Sequence, residues 1–230
     1  MCQNQEVVQE ASYLITLLPQ IITVIVTLLA AFAGAWFAFL FQNKREDKKE
    51  NDRNLASLDF VQINLIQQLN SLLILQKDHI SKVEEIPKQI KWLAISALPH
   101  RDFSQYKINS ETLIFFAEKG YPELIQKILI TEEAFFETFQ ILNTHSDLHL
   151  NKLQNKLEEA GWVEGEGPGC SPKELEEKVG HRIVTEKLRL TESLIGYTEN
   201  TIKSHKEIIS EIHSAGKKIF PGKKIITLTT

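Results

Sequence analysis

Hydrophobic residues follow two different patterns along this chain. From Ile21 to Phe41 the run IITVIVTLLAAFAGAWFAFLF is apolar on every side and holds no charged residue. Its 21 residues at ~1.5 Å each give about 31 Å of helix, close to the hydrocarbon thickness of a bilayer. The pattern predicts one transmembrane helix over residues 19–42, with Pro19 in its first turn, where a missing backbone donor costs little. After the charged segment QNKREDKKENDR, apolar residues recur at helical spacing among polar ones to near the C-terminus.

In the stretch from Leu55 to Ile86, Leu58, Leu65 and Leu72 repeat at seven residues, and Ile66, Leu73 and Ile80 form a neighbouring row. Phe60, Ile63, Ile74 and Leu75 lie off those rows, which predicts a central helix with partners on more than one side. Gln62, Asn64, Gln67, Gln68 and Asn70 form a face that is either wet or hydrogen-bonded across helices.

Pro87 interrupts the pattern, Lys88 to Leu98 reads as a short helix, and His100 to Asn109 reads as a loop. Ser110 is a cap candidate for a helix from Glu111 to Lys119 that Gly120 closes. The next helix starts at Tyr121, Pro122 and Glu123 and runs to Gly161, with Ile128, Phe135 and Leu142 seven apart. Ser171, Pro172 and Glu174 make a capping box for a last long helix from Pro172 to about Ala215. There Leu188, Ile195, Ile202 and Ile209 repeat at seven, as do Ile183, Leu190 and Tyr197, while Gly180 and Gly196 are weak points. Gly216, Pro221 and Gly222 are read as its end, and KKIITLTT as a β-prone tail that frays or joins a partner's sheet edge.

The expected fold is all-α, with a single N-terminal transmembrane helix followed by an elongated cytoplasmic helical bundle with coiled-coil-like long helices. Residues 1–18 form a short extracytoplasmic tail, 43–54 a charged juxtamembrane segment, 55–220 the bundle and 221–230 the C-terminal tail. Orientation follows from the flanks. Before the span stand only Glu6 and Glu10, whereas Lys44, Arg45, Lys48, Lys49 and Arg53 follow it and hold that side in the cytoplasm of an inner or plasma membrane. Tyr13, Trp36, Phe39 and Phe41 suit interfacial anchors. A cleaved signal at Ala33 to Ala35 is the rival reading, opposed by the missing basic n-region and the excessive length. A buried core helix is the other, opposed by the long charge-free run.

Within the span Gln20, Thr23, Thr27, Ala30, Gly34 and Ala38 fall on one stripe. Small or mildly polar side chains on one face let a second backbone approach, which predicts self-association or pairing with another membrane protein.

Composition adds limits. A net charge of −4, with lysines mixed among carboxylates, argues against nucleic acid as the main partner. Cys2 and Cys170 are expected on opposite sides of the membrane and therefore unpaired within a chain. The glycine-rich segment around Cys170 lacks the lysine of a phosphate-binding loop and reads as a connector.

His145 and His149 share a helix face, but Ser146 stands where the metalloprotease pattern needs Glu, so a solvent-facing pair is expected. His181, His205 and His213 read as exposed or rim residues, and Glu132 with Glu133 and Glu158 with Glu159 as solvated faces. No catalytic, cofactor-binding or metal-ligating set is expected, and the chain does not read as an enzyme. The leading expectation is a membrane-anchored, oligomeric interaction or scaffold protein whose cytoplasmic helices bind a protein partner or another copy. The alternative is a small oligomeric pore or membrane-perturbing effector gated by the bundle.

Overall fold

The computed structural model describes the backbone of residues 3–83, 85–161 and 171–227, with side chains at Pro19 and from Ile22 onward within those ranges. Cys2, Cys170, the connector 162–170, the tail residues 228–230 and the side chains of Glu6, Glu10, Tyr13 and Gln20 lie outside the described residues. The described residues form helices and turns, with no strand among them. The chain divides into two units, residues 1–53 and 54–230.

The first element, α1, is a single helix Gln3–Leu75 of 73 residues. Pro19 therefore lies inside the helix, not in its first turn. The preceding segment holds no Gly or Pro and is already helical, so the proline only removes one backbone donor from a long ladder. The expected continuation through residues 43–54 is present, because that segment also lacks Gly and Pro. Every described side chain from Ile22 to Arg53 is exposed. Among the described residues one helix, Ile22–Val83, is long and apolar enough to cross a membrane, with an 18-residue window of mean hydropathy 2.4 and none of it buried.

In the second unit the end of α1 turns Leu58, Val61, Leu65, Leu69, Leu72 and Leu75 inward at spacings of three and four, as one helix face requires. The leucine row predicted from Leu58, Leu65 and Leu72 is the core face. Phe60, Ile63 and Ile74 depart from expectation and stay exposed. A π-turn Gln76–Ile80 and a 3-10 turn Ser81–Val83 end the helix.

The expected helix from Lys88 to Leu98 is a 3-10 turn, Lys88–Leu93, in which Trp92 is buried and its Nε1 donates to the Gln89 carbonyl at 3.1 Å. Prolines at both ends leave too few residues for a cooperative α-helix. Further on, Asn109 and not Ser110 is the cap, its Oδ1 accepting from the Glu111 N–H at 3.0 Å. A 3-10 turn Ser110–Leu113 leads into α2, Ile114–Glu118. Gly120, at φ +86°, closes α2: the Tyr121 N–H reaches the Phe116 carbonyl at 2.7 Å, the six-to-one bond of a Schellman motif.

Helix α3, Pro122–Leu148, begins with proline in its first turn, continues through a π-turn His149–Leu153, and passes into α4, Gln154–Glu159. Gly161, at φ +78°, follows its end. The capping box at Ser171 and Glu174 opens α5, Pro172–Val179. Gly180, at φ +99°, separates α5 from α6, His181–Ile219, so the single predicted helix breaks there and passes Gly196 without interruption. Gly216 does not end α6. It is buried inside the helix, where a Cβ would stand 2.8 Å from Leu58 Cδ2, so it permits close approach to α1.

The described part of the tail does not fray. Ile225 is buried, and the Ile226 carbonyl accepts from His213 Nδ1 at 3.0 Å and Gln62 Nε2 at 3.4 Å. One apolar cluster joins α1, α2, α3 and α6. A smaller one gathers Trp92, Leu153, Leu157, Leu175, Val179 and Val184.

Candidate functional site

Helix α6 packs only in part through the heptad that its apolar residues suggest. Two of its buried rows are Val184, Thr191, Thr198, His205 and Ile212, and Lys187, Leu194, Thr201, Ile208 and Ala215. Each set repeats at seven, and both are offset from the predicted row. Ile202 and Ile209 of that row and Leu190 of the second are buried, whereas Leu188 and Ile195 are half-buried and Tyr197 is exposed. The seam facing the rest of the unit is thus polar through its middle.

Lys187 stands at one end of that polar stretch, fully buried, where the larger apolar cluster gives way to the smaller. Its Nζ lies 3.2 Å from His145 Nδ1 and 3.2 Å from the His145 carbonyl oxygen. His145 Nε2 lies 3.2 Å from Thr191 Oγ1, which donates to the Lys187 carbonyl at 2.9 Å. Because the threonine proton is spent on that carbonyl, the imidazole donates from Nε2 and accepts from the lysine at Nδ1. No carboxylate is paired with Lys187 among the described residues. Burial pulls Lys187 down to about 7. His145 falls to about 3 through burial first, then through the positive charges of Lys187 and His149. His149, half-buried at the start of the π-turn, falls to about 4 through burial and then Lys187, and its Nδ1 is buried without a hydrogen-bond partner.

These positions correct the expectation of a solvent-facing histidine pair. The face shared by His145 and His149 is turned inward against α6, and Asp147, on the outer side, pairs with His100 at 3.2 Å. Ser146 is also buried and accepts from the Leu98 N–H at 3.0 Å, tying the irregular segment to α3.

Farther along the seam, Thr138 and Thr201 hydroxyls meet at 3.2 Å. His205, fully buried instead of exposed, has Nδ1 2.8 Å from the Thr201 carbonyl and Nε2 3.0 Å from Gln68 Oε1. The Gln68 amide donates to the Tyr106 carbonyl at 2.9 Å and hydrogen-bonds Glu132. An imidazolium donates to both oxygens, whereas a neutral ring needs the Gln68 amide reversed. Burial favours the neutral ring and pulls His205 to about 4, so the two demands oppose each other at this contact. Glu132, unlike the solvated Glu133, Glu158 and Glu159, is buried and accepts from the Ile108 N–H at 2.5 Å. Its carboxyl is raised chiefly by that burial.

The arrangement supplies a near-neutral amine and one imidazole, that of His145, held in a single tautomer, but Lys187 and His145 have no exposed surface. Their chemistry is that of an interior polar clamp between α3 and α6. Among the described residues no group of three or more His, Cys, Asp or Glu side chains converges to hold a metal. Surface clefts among the described residues lie elsewhere. One of about 70 Å³ is bordered by Asp78, His79, Leu98, Arg101 and Phe139, and an open one of about 420 Å³ by Arg101, Lys107, Phe136 and Phe139.

The stripe named from the sequence lies on the exposed part of α1. Thr23, Thr27, Ala30, Gly34 and Ala38 are all exposed, and the side chain of Gln20 lies outside the described residues. Thr23 donates to the Pro19 carbonyl and Thr27 to the Thr23 carbonyl, each at 2.7 Å. Lys44, Arg45, Lys48, Lys49 and Arg53 are likewise exposed. No protein family model, no curated protein and no solved structure matches the chain.

Proposed function

We propose that this chain is a membrane-tethered interaction protein. Residues 19–42 anchor it in an inner or plasma membrane, the N-terminus faces outward, and the helical unit from residue 54 lies in the cytoplasm, where it binds another copy or a protein partner. The observation that carries this reading is the contrast within α1. The helix exposes every described apolar side chain from Ile22 to Phe41 and buries a full leucine face from Leu58 onward. A helix in water does not leave such a run uncovered, whereas a bilayer covers it without a protein partner. The basic cluster from Lys44 to Arg53 supports the orientation.

The pore alternative draws less support. The Thr23 and Thr27 protons are already spent on backbone carbonyls, so the stripe does not call for water to satisfy them.

Expressing the full chain tests the proposal. It is expected to stay in the membrane fraction after alkaline carbonate extraction, with the C-terminus digested only when protease reaches the cytoplasmic face. Release by carbonate, or a protected C-terminus in inside-out vesicles, overturns the reading.

A further inference from the structure

Helix α1 carries a second stripe in its cytoplasmic part, on the side away from the core. Ala56, Phe60, Ile63, Gln67, Asn70 and Ile74 are exposed and succeed one another at spacings of four, three, four, three and four. The alternation places Phe60, Gln67 and Ile74 on one seven-residue row and Ala56, Ile63 and Asn70 on the other, the arrangement of a helix-to-helix seam. The three large residues are 43%, 44% and 51% exposed (Phe60, Ile63 and Ile74). The ridge holds no charge between Ala56 and Ile74. It stops where the α-helix does, since the π-turn begins at Gln76 and the next position of the row is Lys77.

We propose that this ridge is where two copies of the chain meet, side by side and parallel. The inference rests on the membrane-tethered reading above and names the surface through which self-association occurs. Three features select a second copy as the occupant. Gln67 and Asn70 are amides, each both donor and acceptor, so each is satisfied by its own counterpart across a two-fold axis, as a buried asparagine is in parallel coiled coils. A common anchor at the same distance along α1 sets two copies parallel and in register, which places equal residues opposite one another. Beside the ridge that pairing puts no like charges opposite each other, since Asp59 faces Asn64, Ile66 faces Ser71 and Leu73 faces Asp78, while Arg53 and Lys77, next on the two rows, bound it at either end. The apolar surface is small beside the ~800 Å² per partner of a standard interface. Confinement of both copies to one membrane supplies the effective concentration that such a seam needs.

Site-specific cross-linking of the full chain in phosphatidylcholine vesicles tests this. In a Cys2→Ser, Cys170→Ser background, Asn70→Cys is expected to form a disulfide dimer under mild oxidation at least tenfold faster than Lys203→Cys, an exposed position on α6. Adding Ile63→Glu and Ile74→Glu, both at exposed sites, is expected to reduce that dimer at least tenfold while leaving the far-ultraviolet dichroism unchanged. Cross-linking at position 70 no faster than at 203, in a protein that single-molecule photobleaching shows to be oligomeric, overturns the ridge and leaves self-assembly standing. Single-step photobleaching throughout removes both.

Discussion

Lys187 and His145 form a matched pair inside the helical unit: the lysine nitrogen lies 3.2 Å from both the ring nitrogen and the backbone oxygen of the same histidine. A neutral amine has two protons, and these two acceptors use both. An ammonium has a third, with no further acceptor found for it among the described residues. Burying a charge without a counter-ion is costly, and the clamp resolves this by releasing the proton instead of recruiting a carboxylate. Its position at the junction of the two apolar clusters makes protonation an event at the α3–α6 interface.

Stability should therefore depend on pH with a particular sign. Burial lowers the folded-state value of Lys187 from 10.5 to about 7, so the unfolded chain binds more protons between those values and stability rises with pH through that window. The penalty is complete below pH 7 and gone above 10.5, and at about 1.4 kcal/mol per pKa unit it reaches several kcal/mol. Lys187→Met removes it but leaves His145 Nδ1 without its donor, at a cost of about 1–3 kcal/mol. The variant is expected to be more stable than the parent by about 2 kcal/mol at pH 7 and equal or less stable near pH 10.5. Urea unfolding followed by circular dichroism at both pH values reads this reversal directly. A separate loss as pH falls below 6.5, from His145, His149 and His205, should persist in the variant.

The contact between Gly216 and Leu58 predicts a steric limit. A Cβ at position 216 would meet Leu58 Cδ2 at 2.8 Å and Ile225 Cγ2 at 3.4 Å, and Leu58 is itself fully buried. Alanine gains about 1 kcal/mol of helix propensity over glycine, while overpacking costs about 1–3 kcal/mol. Gly216→Ala should lose up to about 2 kcal/mol, and Gly216→Val more, since its branched side chain cannot turn from the contact. Combining Gly216→Ala with Leu58→Val should recover most of the loss in a double-mutant cycle.

What the sequence makes legible here depends on residue type. Leu58, Leu65, Leu72, Ile128, Phe135 and Leu142 all lie inside, because an apolar side chain at a seven-residue spacing has few alternatives to the core. On α6 the same count finds the buried Ile202 and Ile209 but also Leu188 and Ile195, which lie beside the seam, because the interior there takes Lys187, Thr191, Thr198, Thr201 and His205 as well. Threonine reaches the interior by returning its proton to a carbonyl four residues back, as Thr191 and Thr198 do, and hydropathy does not register that bond. A signal was present all the same. In a helix rich in Glu and Lys, the rows from Val184 to Ile212 and from Lys187 to Ala215 contain one charged residue, Lys187. The inward turn of Glu132 had no such signal, since it depends on the N–H of Ile108 in a distant irregular segment.

Two glycines in the last helical region should respond with opposite signs. Gly180 separates α5 from α6 at φ +99°, where an L-residue is strained, and the space around it is open, so the cost of a side chain is borne by the backbone alone. Gly180→Ala is expected to lose about 1–3 kcal/mol. Gly196 lies within α6 with open space around it and no positive φ, so Gly196→Ala should gain about 0.5–1 kcal/mol. Thermal unfolding of the two variants at one pH compares them without further assumptions.

The two threonines of the span separate an anchor from a water-lined path. Each hydroxyl donates to the carbonyl four residues earlier on its own helix, and valine keeps the side-chain shape while deleting that bond. In an anchor surrounded by lipid, Thr23→Val with Thr27→Val makes the span more apolar, so carbonate-resistant membrane retention should be unchanged. Vesicles containing the parent chain should show the same slow dye and ion leakage as protein-free vesicles, and the double variant should not alter it. A leak that scales with parent protein and disappears in the double variant would instead place those hydroxyls along a permeation path, and the tether would have to be read as one strand of a channel.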